Sequence, residues 1–277
     1  MSIGTVIFAQ NNTGIDYIKL ATFTAQRVQK FLEIPVSVVT DTADLIPSGI
    51  FDQIIEIPTE NCSHRPFHDG MMTSKSFEWK NVSRNQVYNL TPYDTTLVID
   101  SDFIISSDRL KQAFSRDVLF QIYKTSVDLC DWRDTLSYKR INQYSVPFYW
   151  ATTFVFQKHP IVEAFFDLVS YIKHNWLYFK TLYSIDSEIF RNDYAFSIAI
   201  HIMNGKTNGE FTTDLPGNMC YILEQDFLID IKDSAMSFLI QKQNRKGEYL
   251  AVKTSDIDVH VMNKHSLSRF IDGGSGV

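Results

Sequence analysis

The chain has 277 residues, 44% of them hydrophobic, with 26 basic and 32 acidic side chains and a net charge of −6. This composition describes an ordinary globular protein with room for one large α/β domain. It argues against a broadly basic nucleic-acid surface, and no stretch approaches the roughly 20 apolar residues of a membrane-spanning helix. Three widely spaced cysteines, Cys62, Cys130 and Cys220, give neither a zinc motif nor a disulfide framework. With no basic-apolar leader ahead of Gly4, the expected compartment is the cytoplasm, and the sequons at Asn11, Asn61, Asn81 and Asn89 are read as incidental.

Gly4–Ala9 reads as a buried first strand, followed by the polar segment Gln10–Gly14. A helix is expected from Tyr17 to Phe31, with Ile18, Ala21, Ala25 and Val28 on one face. Strands follow at Val36–Thr40 and Asp52–Ile57. This strand–helix–strand–strand opening suits a parallel nucleotide-binding sheet, whose ligands sit beyond the carboxyl ends of the strands. Gln10, Asn11 and Asp41 lie at such ends and are assigned to the nucleotide side; ordinary loop chemistry is the alternative. Cys62–Met72 reads as an irregular loop, because Pro66 and Gly70 break any helix around His64 and His68. Ser74–Tyr88 reads as a helix that places Lys80 and Arg84 on one face, either as a phosphate clamp or as a solvated surface.

The strand Thr96–Ile99 leads into Asp100-Ser101-Asp102, the most informative triplet of the chain. Two carboxylates one residue apart project to one side of an extended chain. Beside a buried strand they call for a positive partner. A hard divalent cation shared with substrate phosphates fits that need; a simple turn is the competing reading. Beyond it come a short helix at Arg109–Phe114, a strand at Val118–Tyr123, and a polar, aromatic stretch Ser126–Tyr144 expected to form a loop or lid. A strand at Phe148–Gln157 and a long helix from Pro160 to about Leu182 follow. The polar joint Asp186–Asp193 then precedes a buried helix, Tyr194–Asn204. Acids at such a joint are either helix caps or general bases; Asp193 is the first candidate and Asp186 the second. Short strands are expected near Cys220–Leu223 and Phe227–Ile231, and the last informative segment is Val259–Lys264. Residues 273–277 look like a flexible end.

The segment Thr91–Asp102 resembles the D-x-D strand of GT-A glycosyltransferases, and the order of parts along residues 3–270 is similar to theirs. The resemblance implies a Rossmann-like, mixed but mostly parallel α/β sheet flanked by helices. One domain over residues 1–272 is expected, with a nucleotide-sugar half to about residue 108 and an acceptor half beyond it. It further implies Mn²⁺ or Mg²⁺, and a nucleotide-diphosphate sugar, most simply a UDP-sugar, as donor. Asp102 becomes the direct metal ligand, with Asp100 beside it on the metal or the ribose. His260 becomes the late third ligand and Lys264 a phosphate contact. The departure is real: Asn263 stands where that family's longer histidine motif has glycine, the lysine comes early, and Pro-Trp is missing. The rival readings are a nucleotidyltransferase and a non-catalytic nucleotide-sugar or carbohydrate-binding protein. The acceptor could be a glycan, a protein, a lipid head group or a modified nucleic-acid base.

Overall fold

The computed structural model describes residues 1–59, 63–80, 83–129, 138–187, 189–207 and 209–273. Cys62, residues 130–137 of the expected lid, Cys130 among them, and the last four residues of the tail lie outside this set. The first sheet has six strands in the order β3-β2-β1-β6-β10-β8: β1 (Ile3–Phe8), β2 (Val36–Thr40), β3 (Gln53–Glu56), β6 (Thr95–Ile99), β8 (Phe120–Tyr123) and β10 (Trp150–Gln157). The first four positions run parallel, and β10 is antiparallel to both β6 and β8. Strands β2 and β6 are buried at every position, as the near-continuous apolar runs of a sheet covered on both faces require.

Helix α1 (Tyr17–Leu32) packs on β1 and β2. Its N-terminus is fixed by the Asp16 side chain, which accepts from the Lys19 amide, and its last turn closes on Glu33 in a left-handed conformation. The second half contributes α4 (Pro160–His174) and α6 (Asn192–Met203), with α6 against β10 and α4 against α6. The interface is aromatic: Phe120, Phe154, Phe165, Phe166 and Phe196 stack on one another with centroids 4.7–6.2 Å apart, a range in which edge and offset pairs add to simple burial.

A second sheet, β7-β15-β11-β9, joins β7 (Phe103–Ile104), β9 (Ser126–Asp128), β11 (Met219–Ile222) and β15 (Val259–Val261). It has its own apolar cluster beneath the three-stranded meander of β12 (Phe227–Lys232), β13 (Ala235–Gln241) and β14 (Tyr249–Ser255) and helix α7 (Lys264–Asp272). Arg27 ties the two parts together, donating from Nε to the Ile105 carbonyl and from Nη2 to the Asp233 carbonyl.

Four expectations about local structure are corrected. In the described residues Cys62–Met72 is no loop, and Ser74–Tyr88 is no continuous helix: only its end is helical, in a 3₁₀ turn that runs into the single-turn α2 (Val87–Leu90). β4 (Ser63–Asp69) and β5 (Thr73–Trp79) form a hairpin turning at Gly70, with φ +74°. Thr73, Ser74, Phe77 and Trp79 suit a pleated strand better than a helix, and Arg84 sits in a separate 3₁₀ turn, Ser83–Gln86. The helix from Pro160 breaks at Asn175, and α5 (Trp176–Leu182) continues it. Asp100-Ser101-Asp102 does not extend β6. It is a turn, closed by the Phe103 amide on the Asp100 carbonyl at 3.0 Å, that carries the chain from the first sheet to the second. The two carboxylates face one site because the turn is tight.

Candidate active site

Parallel pairing puts Ile7 of β1 opposite Ile99 of β6, so Gln10 and Asp100 emerge at the same sheet edge. The antiparallel strand β10 begins there as well: the Asp100 amide donates to the Thr152 carbonyl at 2.9 Å. β15 supplies the far wall, since His260 pairs with Phe103 and the Val261 amide donates to the Asp102 carbonyl. A cleft of about 130 Å³ opens at this junction, and Asp100, Asp102, His260, Lys264, Arg84 and Asp193 all line it.

Asp102 is buried. His260 Nε2 lies 3.3 Å and Lys264 Nζ 2.7 Å from its Oδ2. Burial alone would raise this carboxyl, but the Lys264 ammonium and then His260 outweigh it, and the acid is held far below the usual carboxylate range. Lys264 is shifted the other way: burial would lower its ammonium, and Asp102 overrides this and raises it. The position of that ammonium is unusual. Lys264 opens helix α7, whose N-cap Asn263 accepts from the Ser266 amide, and a helix N-terminus disfavours a positive charge. Asp102 compensates it.

Asp100 has a different partner. Arg84, only 2% exposed, donates from Nη2 to Asp100 Oδ1 and from Nη1 to the Ala151 carbonyl. The other oxygen, Oδ2, is 4.0 Å from His260 Nε2. One ligand atom each from Asp100, Asp102 and His260 falls within 4.8 Å of the others. Around an octahedral ion with bonds of about 2.1 Å, ligand atoms are spaced roughly 3 Å (cis) to 4.2 Å (trans), so small side-chain adjustments would let this set hold a small divalent ion.

The cleft also holds buried polar atoms in need of a partner. Gln10 is 6% exposed and lines the cleft, and neither its amide nitrogen nor its oxygen is hydrogen-bonded; the indole nitrogen of Trp150 is in the same condition. Such groups are costly to leave unmade, which marks them as surfaces for a polar ligand.

The remaining sequence candidates separate. Asn11 lies outside the cleft lining and receives the Ile18 amide on its Oδ1, so it steadies the start of α1. Asn12 fixes the turn after β1 by accepting from Gly14 and Ile15 and donating to Glu78; the glycine-rich, basic loop a nucleotidyltransferase would want is absent there. Asp41 binds the Lys80 ammonium at 3.0 Å, and it is Lys80 that reaches the cleft. Asp186 belongs to a different, open groove with Arg140, Tyr144 and His201. Asp193 lines the cleft, but both its oxygens are taken: Oδ1 by the Ala151 amide, Oδ2 by Nε and Nη2 of Arg191. Trp150 and Thr152 line the cleft as well.

Sequence reasoning missed Arg65, Arg191 and Glu224 on the same walls. Arg65 lies over the rings of Phe67 and Trp79 at 4.5 and 5.4 Å. Alternation along a polar hairpin was the signal that could have found it, but only Phe67 and Trp79 of β4 and β5 are buried. Arg191 precedes α6 and rests against Tyr194 and Phe148.

No protein-family model and no curated protein matches the chain. Solved structures do match in shape. The galactosyltransferase LgtC, described in complex with donor and acceptor sugar analogs, aligns at TM-score 0.45 and 14% identity over 77% of this chain and 73% of its own. Mouse xyloside xylosyltransferase 1 aligns at 0.45 and 9% over 78% and 85%. The bifunctional IspDF from Campylobacter jejuni aligns at 0.42 and 10% over 79% and 50%. The chain's own architecture is the one expected from its sequence: a mixed, mostly parallel sheet flanked by helices, with an Asp-x-Asp-His group assembled at its carboxyl edge.

Proposed function

We propose that this protein is a GT-A-type glycosyltransferase that moves a sugar from a nucleotide-diphosphate sugar, a UDP-sugar in the simplest case, to an acceptor hydroxyl, with Mn²⁺ or Mg²⁺ as cofactor. The observation that carries this reading is the convergence of Asp100 and Asp102 with His260, from a distant part of the chain, in one cleft at the carboxyl edge of a parallel sheet. Asp100, Asp102 and His260 would hold the ion, which as a Lewis acid offsets the charge that grows on a departing nucleoside diphosphate.

The other roles fall to the chain's own side chains. Lys264, Arg84 and Lys80 face the diphosphate from three sides, and Gln10 meets the nucleoside at the end of β1. Trp150 and Thr152 border the transferred sugar. We assign Asp193 the orientation of Arg191 on the acceptor side, because its two oxygens are already engaged; Asp186 has no part in the transfer. Residues 1–272 act as one catalytic unit, working in the cytoplasm.

The test is a panel of nucleotide sugars titrated with Mn²⁺, read by binding and by release of free sugar. Metal-dependent binding and hydrolysis of one member is the expected result. Pyrophosphate-dependent exchange would instead identify a nucleotidyltransferase, and binding without turnover a carbohydrate- or nucleotide-sugar-binding protein.

A further inference from the structure

The acid pair does not stand alone with its imidazole. Lys264 Nζ is 2.7 Å from Asp102 Oδ2, and Arg84 is bonded to Asp100 Oδ1. Neither cation is free to swing out. Arg84 is 2% exposed and also held by the Ala151 carbonyl, and Lys264 is 8% exposed at the first turn of α7. The two carboxylates and these two cations therefore sum to zero charge. A divalent ion held by the carboxylates would be close to both positive groups and would leave the buried cluster with two uncompensated charges, in surroundings that screen them poorly. Arg65, Lys80 and Arg191 line the same cleft, and each has its own acid, Glu224, Asp41 and Asp193 in turn, so they leave this balance unchanged. A diphosphate bridging the ion, the ammonium and the guanidinium is the species that restores the balance.

Building on the reading of the cleft as a metal and nucleotide-sugar site, we infer that Lys264 and Arg84 make the divalent ion conditional on the diphosphate. The ion enters and leaves with the nucleotide, and the chain binds it poorly alone. Lys264 acts here as a coupling residue: its charge weakens the isolated ion and strengthens the ion–diphosphate unit. Reciprocity then requires the ion to tighten nucleoside diphosphate binding by the same factor.

The experiment measures Mn²⁺ binding to the full chain from the free-ion paramagnetic resonance signal, alone and with UDP or uridine, after correction for Mn–UDP formed in solution. UDP should tighten Mn²⁺ by about tenfold or more, the middle of the usual range of coupling, and uridine, which has no phosphate, should not. Lys264→Gln keeps an N–H for Asp102 and deletes the charge. It should tighten Mn²⁺ alone and shrink the UDP effect, with circular dichroism checking its fold. Should that variant fail to fold, the contrast between UDP and uridine in the unaltered protein decides the matter. Equal Mn²⁺ affinity with and without bound UDP would overturn the inference while leaving the metal site in place. No binding of Mn²⁺ or UDP in any combination would remove the site reading and this inference with it.

Discussion

The ion pair between Asp102 and Lys264 can be weighed by a double-mutant cycle. Their side chains are 3% and 9% exposed and 2.7 Å apart, and each shifts the other toward its charged form. Removing one partner of a buried pair leaves an uncompensated charge and costs about 3–5 kcal/mol, a large share of the roughly 5–15 kcal/mol that holds a domain together. Asp102→Asn should be the costlier change. It leaves Lys264 with the Met262 carbonyl at 3.5 Å, while Asp100 is engaged by Arg84. Lys264→Met should cost less, because His260 Nε2, 3.3 Å from the same oxygen, remains beside Asp102 as a polar partner. The double variant removes both charges with little change of volume. It should therefore be far more stable than the sum of the singles, with a coupling of about 3 kcal/mol. Urea unfolding at pH 7.5 with a chelator present measures all four corners. Single variants that each lose less than about 1 kcal/mol, and that add, would place the pair in the solvent-screened regime and refute the description of this site as a buried charge cluster.

Three further outcomes are expected. Asp100→Asn and His260→Ala should each weaken Mn²⁺ binding in the presence of UDP by about 100-fold or more, since even outer-shell changes at metal sites cost 10- to 100-fold; calorimetric titration checks this. Asp193→Asn should lower kcat without removing the acidic limb of the pH–rate profile, because its engaged carboxylate orients Arg191 and does not abstract the proton; loss of that limb would make Asp193 the base. Asp69 is held below its ordinary value chiefly by the bond from Arg269, 2.6 Å away. The stabilisation is present above the unfolded value of about 3.9 and is lost as pH falls through the lower folded value. Arg269→Gln should therefore be less stable than the unaltered chain at pH 7, and the gap should close on acidification, as urea midpoints across the pH range will show.

The parallel strands of the first sheet and α1 were readable because each obeys one period at a time. β1, β2 and β6 are apolar runs, and α1 has a helical stripe under an Asp cap. The hairpin β4–β5 was not readable for the opposite reason. Its faces are mostly exposed, with Phe67 and Trp79 alone buried, so no apolar alternation in the sequence marks it, and the spacing of Lys75, Trp79 and Lys80 imitates a helix face. The same holds for β14, of which only Thr254 is buried: its strand character comes from pairing with β13, which no local pattern reports. Helix α7 was hidden behind Val259–Lys264, where three apolar residues drew attention to the strand and away from the Asn263 cap.

The site divides along the same line. Acids that interrupt an apolar strand are visible locally, which is why Asp100 and Asp102 could be named in advance; His260 was named from the resemblance to the D-x-D family. Arg84 and Lys264 were expected as phosphate contacts, but their pairing with these acids obeys no local rule. Arg84 reaches Asp100 from a 3₁₀ turn, and the four-residue step from His260 to Lys264 crosses from a strand into a helix, so neither spacing has a periodicity to read. Yet the cations decide what the acids can bind. With Lys264 and Arg84 in place, both acids already have a positive partner. A sequence motif therefore announces the acids, while the charges that answer them reside in two buried side chains that the motif does not contain.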